Sequence, residues 1–338
     1  MRKQIVARAP AKLILSGEHA VVYGKPALAM AINRYTESTI ISSLSPTILF
    51  NCLNLNHVQS LTVCALKALK QRVQDKYNAF LEDGSGIREV IKMPFELLQY
   101  TVIHLLETLD ISIAKGLKIR ASSDIPIGCG MGSSAALIMS TLYALVSFFK
   151  LEIDHIHFLA LGRKLENLQH GYSSGLDIHV AMTGGCVKFE EGRISNRIAP
   201  NIPMAIVQTG TPNTTTGQCV SFVANIFKNS SIDEDFKAVT ETFDEALNYN
   251  NLAMIQNSIK LNHRLLAKIG VVPPRIQDFI NTVEKNGGAA KICGAGAIEG
   301  DKAGVVLIVS ERDLSSIAKD YGYVFEQVQV EHNGAHTL

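Results

Sequence analysis

The chain carries almost no net charge, no closely spaced cysteine pair and no apolar run long enough to span a bilayer. Each shortage narrows what it can do. Over 338 residues, 32 Lys and Arg balance 31 Asp and Glu to a formal charge of +1, and no basic block stands out. A nucleic-acid surface needs a basic stripe, so nucleic acid is not expected as the main partner. Any anion must be held by local geometry rather than by a general field. Cys52, Cys64, Cys129, Cys186, Cys219 and Cys293 are scattered, with no Cys-x-x-Cys spacing and no metal-like cluster with histidine. The first residues do not read as a secretory leader, so reduced thiols and a cytoplasmic setting are expected. The longest apolar stretch, Ala135 to Phe149, contains Ser140 and Thr141. It is shorter than the roughly 18–20 residues of a spanning helix, so it predicts a buried core helix and no membrane partner. Repeats, low-complexity tracts and long linkers are also missing.

What is present is a globular composition, with 47% hydrophobic and 19% charged residues. The length favours two domains. The strongest local feature is Pro126-Ile127-Gly128-Cys129-Gly130-Met131-Gly132-Ser133-Ser134-Ala135-Ala136. Alternating glycines permit positive φ and close backbone approach. A serine pair before an apolar segment predicts a helix start capped by serine. Gly116 to Ser122 alternates as a strand, so the loop joins a strand to a helix N-terminus, where free N–H groups favour a phosphate. A tight turn that merely packs a helix is the other reading. The loop lacks the Gly-Lys-Ser/Thr of a Walker A motif. It also lacks the glycine spacing and downstream acid of a Rossmann turn.

Residues 4–9 and 13–15 read as separate strands, and so do 27–32 and 35–43; residues 44–60 read as loop. Helices are predicted over 61–80, 95–109 and 155–169, the last stopped by Gly171. Lys12 lies between the first two of these strands, and the segment Gly17-Glu18-His19-Ala20-Val21-Val22-Tyr23-Gly24 between the second and the third. Lys12 reads equally as a snorkelling surface lysine, and Glu18-His19 as a solvated turn. Tyr172-Ser173-Ser174-Gly175-Leu176-Asp177 delivers an acid that could fold back towards Glu166. Two carboxylates converging on a phosphate loop would suit a magnesium ion and a base, whereas a surface Glu and a capping Asp are the plainer alternative. A strand over 186–190 places the domain boundary near residues 184–190. The second half reads as strand, helices, strand, helix and strand, with a hydroxyl-rich loop over 209–217 and Gly294-Ala295-Gly296 following Lys291-Ile292-Cys293. That pattern suggests a two-layer α+β, ferredoxin-like unit.

Three glycine-bearing segments, far apart in the chain, together resemble the galactokinase–homoserine kinase–mevalonate kinase–phosphomevalonate kinase superfamily. Pro10-Ala11-Lys12 through Gly24 is similar to its first motif, Pro126 through Ala136 to its second, and Lys291 through Gly296 to its third. The resemblance runs from residue 5 to about residue 330. Gly17 to Gly24, Glu166 to Asp177 and Asn262 to Val271 are most like the mevalonate kinase branch. The resemblance implies an α+β, two-domain small-molecule kinase fold: a ribosomal-protein-S5-like α/β domain over 1–186 and a ferredoxin-like domain over 187–338. It implies ATP and Mg²⁺ as cofactors, phosphorylation of the 5-hydroxyl of mevalonate in isoprenoid precursor synthesis, and leaves room for a homodimer.

By the same resemblance, Asp177 would take or orient the acceptor's hydroxyl proton, with Lys12 beside it stabilising the developing charge. Ser134 and Glu166 would hold Mg²⁺. Pro126, Gly128, Cys129, Gly130, Met131, Gly132, Ser133 and Ser134 would cradle the nucleotide phosphates. Glu18, His19, Ser174 and Thr216 would line the acceptor site. Four departures stand out: Ala11 for a usual glycine, Met131 for a usual leucine, no basic residue in Asn213-Thr214-Thr215-Thr216, and an added Ala297-Ile298-Glu299-Gly300-Asp301-Lys302-Ala303 after the third motif.

Overall fold

The computed structural model describes residues 3–84, 86–113 and 115–338. The first half begins with β1 (Gln4–Ser16), β2 (Ala27–Ser42), β3 (Ile48–Cys52) and β4 (His57–Leu61). Helices α1 (Val63–Asp83), α2 (Ile87–Val90) and α3 (Pro94–Thr108) precede β5 (Leu117–Ser123). Then come α4 (Ser133–Phe149), α5 (His155–His170), α6 (Leu176–Thr183), β6 (Cys186–Glu190) and β7 (Arg193–Arg197). The second half runs β8 (Met204–Gly210), α7 (Thr216–Asn229), α8 (Ile232–Asn248), α9 (Leu252–Lys268) and α10 (Pro274–Lys285). It closes with β9 (Ala289–Cys293), β10 (Gly304–Val309), α11 (Ser315–Asp320), β11 (Val324–Val328) and β12 (His336–Thr337).

Two sheets organise these elements into an α+β fold of two domains. The first has the order β12-β1-β2-β5-β3-β4, antiparallel except where β3 runs parallel to β5. β2 is long enough to serve two partners, β6 along Ala27–Met30 and β5 along Thr36–Ser42. The four strands expected before residue 43 are therefore two. Proline cannot donate to a ladder, yet β1 runs through Pro10 and absorbs it at a register shift between Pro10 and Ala11. Residues 44–60, read as loop, contain the β3–β4 hairpin. β4 alternates between half-buried and exposed positions, so its apolar signal is diluted.

The apolar run at 135–149 is explained by α4, which packs on β1 and β2 with most of its residues buried. Its polar members are satisfied there: Ser38 Oγ on β2 lies 3.0 Å from Ser140 Oγ and 2.9 Å from Thr141 Oγ1. Among the described residues, no helix is long and apolar enough to cross a membrane. The six cysteines are free thiols.

The second sheet has the order β11-β8-β10-β9, with every pairing antiparallel. Its strands β8, β9 and β10 are largely buried on both faces. Met204, Ile206, Val305 and Leu307 pack into the core shared with the first half. Ala205, Val207, Val306 and Ile308 face Phe236 and Phe279 under the helices. This period-of-two division lets one sheet wall off two cores. The division expected at residue 186 does not coincide with an edge between sheets. β6 and β7 still belong to the first sheet, and β12, at the far end of the chain, returns to β1.

Candidate active site

The site assembles where β1, the glycine-rich loop and the turn before α6 meet. Lys12 lies on β1, its N–H donating to the Met131 carbonyl at 3.0 Å. Its Nζ sits 3.0 Å from Asp177 Oδ1, with 7% and 28% of the two side chains exposed. The surface-lysine reading of Lys12 is thereby overturned. Gly132 lies against this pair: a Cβ there would be 3.2 Å from Lys12 Cγ and 3.5 Å from Asp177 Oδ2.

The loop delivers a bare helix end. Gly132, at φ +70°, is the N-cap of α4, and no side chain caps the helix. The expected serine cap is corrected accordingly. Ser133 and Ser134 lie inside the first turn, because the left-handed backbone at Gly132 turns the chain into the helix one residue earlier. The unpaired N–H groups of that turn and the dipole of a 17-residue helix can receive an anion.

Three closely stacked backbones explain the other glycines. A Cβ on Gly130 would lie 2.8 Å from the Cys293 carbonyl oxygen, and one on Gly304 2.8 Å from that of Cys129. Gly294 in turn faces the Cα of Gly130. The second and third glycine motifs are thus backbone to backbone across the two halves. Thr211, which sequence reasoning did not single out, approaches Gly128 from the loop after β8.

The turn before α6 brings Asp177 back towards Glu166, and Ser173 fastens it. Its hydroxyl donates to Glu166, its N–H donates to Asn167 Oδ1 at 2.7 Å, and its carbonyl accepts from Arg163 Nε at 2.9 Å. Ser173 was missed because a serine in a polar turn carries no distinguishing signal. Glu166 is buried, and its carboxyl is pushed up first by desolvation and then by the charge of Asp177, against the opposing pull of Ser173, Lys12 and Arg163. Two carboxylates facing one lysine leave an unmatched acid, which suits a cation. Among the described residues no group of three or more His, Cys, Asp or Glu forms a metal cage. A divalent ion here would therefore complete its shell from phosphate oxygens and water, the manner of magnesium. Ser134 Oγ, 3.3 Å from His170 Nε2, is a nearby hydroxyl.

Glu18 and His19 have different fates. Glu18 is buried and ion-paired with Lys291 of β9. His19 has φ 60° and ψ −49°, and its Nε2 lies 3.0 Å from the Ala295 carbonyl oxygen. A carbonyl only accepts, so Nε2 carries the proton and Nδ1 offers a lone pair. Burial pushes the imidazole down and keeps it neutral. Among the described residues Nδ1 is buried without a partner, an acceptor suited to a hydroxyl. Ser174 is exposed at the start of α6, its Oγ accepting from Leu176 N at 3.2 Å. Thr216 is exposed at the first residue of α7. The added segment 297–303 folds onto the hydroxyl-rich loop. Ile298 N donates to Thr214 Oγ1 at 3.2 Å, Ala303 N donates to Thr209 Oγ1 at 3.0 Å, and the Lys302 stem lies over Gly210.

Residues 96–185, which include the glycine-rich loop, Glu166 and Asp177, match the GHMP kinases N terminal domain. The mevalonate kinase of Thermococcus sibiricus is 28% identical over 310 residues, covering 87% of this chain and 86% of that protein. Among solved structures, the mevalonate kinase of Methanococcus jannaschii is 25% identical with a TM-score of 0.82, covering 97% of this chain and 99% of that one. Over nearly its whole length, then, this chain is similar to GHMP kinases. A further mevalonate kinase crystal structure is 26% identical with a TM-score of 0.80, covering 96% and 98% of the two chains. That similarity supports phosphotransfer to a small molecule as the chemistry of the site. Lys12 and Asp177 stand paired at the bare end of α4, and phosphoryl transfer asks chiefly for positioning and charge stabilisation.

Proposed function

We propose that this protein transfers the γ-phosphoryl group of ATP to the 5-hydroxyl of mevalonate, giving 5-phosphomevalonate for isoprenoid precursor synthesis in the cytoplasm. The observation that carries the reading is the Lys12–Asp177 pair, 3.0 Å apart and pressed against Gly132 at the uncapped helix end. An acceptor hydroxyl beside Asp177 can pass its proton to the carboxylate as its oxygen bonds to the γ-phosphorus and the bond from that phosphorus to the bridging oxygen breaks, releasing ADP. Lys12 then faces the charge that develops on the transferring group. The α4 N–H groups would hold the nucleotide phosphates. Ser134 and Glu166 would hold Mg²⁺, which when bound neutralises phosphate charge. The buried, unpaired Nδ1 of His19 would accept from a hydroxyl of the acceptor.

The relatives' names favour mevalonate within the superfamily. The βαββαβ succession and 4-1-3-2 strand order of the second sheet favour the ferredoxin-like description of that half. The S5-like description of the first half rests on the sequence resemblance. One observation favours a second reading, an acceptor that already bears a phosphate. The loop over 213–216 has no cation, yet the added segment brings Lys302 over Gly210 at its base. ADP release from purified protein, measured with mevalonate, phosphomevalonate, galactose and homoserine, tests both. Turnover with mevalonate and a product phosphorylated on the 5-oxygen is expected. Turnover confined to phosphomevalonate would replace the first reading by the second.

A further inference from the structure

Beneath the acceptor end lies a buried polar network that joins the two halves. Lys291 on β9 and Glu18 after β1 form an ion pair with side chains 0% and 1% exposed. Lys291 Nζ also donates to the Ile14 carbonyl at 3.1 Å, on the strand that carries Lys12. Asn262 Nδ2 on α9 donates to Glu18 Oε2 at 3.4 Å and to Ser16 Oγ at 2.8 Å, and Ser16 Oγ lies 2.7 Å from Thr240 Oγ1 on α8. A buried charge pair of this kind contributes little net stability, because desolvation offsets the Coulombic gain. Its presence here therefore points to a geometric task rather than to stability.

The geometry next to it is strained. Ala20 N donates to the Glu18 carbonyl at 2.6 Å, closing a three-residue turn around His19 with φ 60° and ψ −49°. This is the positive-φ γ-turn, which is rare and costly for a residue with a side chain. Such strain persists only where the surroundings over-determine it. One end of the turn is fixed because Gly17 is pressed onto Pro26, where a Cβ would lie 2.3 Å from the carbonyl oxygen. The other anchor is the Glu18 side chain, held by Lys291 and Asn262.

We propose that Lys291 is a positioning residue: by clamping Glu18 it holds His19 in the strained turn and so sets the acceptor end of the site. Glu18, on this account, works through His19 and does not touch the acceptor. The proposal rests on the reading that His19 faces the acceptor.

The test uses full-length Lys291→Gln, Glu18→Gln, the double variant and Lys291→Arg. It reads steady-state kinetics with ATP and mevalonate, together with ¹⁵N resonances of the His19 ring. Each single neutral variant strands a buried charge, so the KM for mevalonate should rise tenfold or more while that for ATP stays within twofold. The His19 ring resonances should shift. The Gln–Gln pair restores a hydrogen bond without a stranded charge and should return the KM to within threefold of the parent. Unchanged KM and His19 resonances in a folded single variant would reduce the pair to a stabilising contact and overturn the proposal. A double variant no better than Glu18→Gln would put Glu18 itself on the acceptor, and overturns it equally. Should the neutral variants fail to fold, Lys291→Arg keeps the charge with a different reach. It must then move both readouts for the proposal to stand. The NMR arm needs no acceptor, so absence of mevalonate turnover in the parent would sink the proposed reaction while His19 still reports on the clamp.

Discussion

Replacing Gly132 by alanine should damage the site more than the fold, and the two costs can be separated. Gly132 has φ +70°, and a side-chain-bearing residue in the left-handed region costs about 1–2 kcal/mol. Gly322, at φ +76° with open space around it, carries the same backbone cost and lies after α11, away from the site. Gly132→Ala and Gly322→Ala should therefore lose similar stability in urea unfolding, about 1–2 kcal/mol each. They should differ in turnover. The new methyl would sit 3.2 Å from Lys12 Cγ, tighter than ordinary contact, and that stem can move only by dragging the ammonium away from Asp177. Misplacing a reacting group by about 1 Å can cost about 10²-fold, so a shift of a few tenths of an ångström should lower kcat by about tenfold or more. ADP release measured on both variants decides it. If Gly132→Ala keeps kcat within twofold of the parent, or Gly322→Ala loses as much as Gly132→Ala, the placement of the Lys12–Asp177 pair against the loop is not what turnover depends on.

Other outcomes follow from the same geometry. Asp177→Asn should lower kcat by about 10²–10⁴, the usual worth of a general base, and near-parental turnover would remove Asp177 from the proton transfer. Ser134→Ala should raise the KM for Mg·ATP and leave that for mevalonate unchanged; the reverse pattern would assign α4's first turn to the acceptor. Burial pushes His104 and His263 down to about 4, with nearby Lys70 and Lys164 adding to the effect at His104 and Arg264 at His263. A folded value below the ordinary 6.5 means the unfolded chain binds the proton first, so stability is full above about pH 6.5 and is lost as pH falls towards 4. Each histidine should cost about 2 kcal/mol at pH 5. The drop in unfolding free energy between pH 7 and pH 5 should therefore be smaller by about that amount in His263→Gln. An undiminished drop would mean that His263 is protonated in the folded state.

Much of the site was legible in the sequence, and what was not has identifiable causes. The glycine-rich loop was read from its glycines between a strand and a helix, Lys12, Glu166 and Asp177 were named by the family resemblance, and the structure brings them together. Spacing could not tell that Gly132, not serine, caps α4, because a positive φ leaves no trace in a sequence where glycine is permitted for other reasons. Nor could it find Ser173, whose value lies in reaching Glu166 across a turn. The β3–β4 hairpin was missed since an edge strand shows water half its side chains. The two long strands were each read as two, because local rules stop at a break such as Pro10 while the neighbouring strand continues the ladder through a bulge.

The sequence by itself determined the classes of element, the buried helix, the glycine positions and the family to which they point, since those follow from local periodicity and from residue types that tolerate few backbones. Only the tertiary structure decided the partners. Glu18 and Lys291 are 273 residues apart along the chain yet share one buried ion pair. Gly130 and Gly294 meet because two sheets from opposite halves close on one another. The last strand returns to the first, across the division expected near residue 186. Such pairings are set by which surfaces exclude water together, and that is a property of the whole fold rather than of any stretch of it.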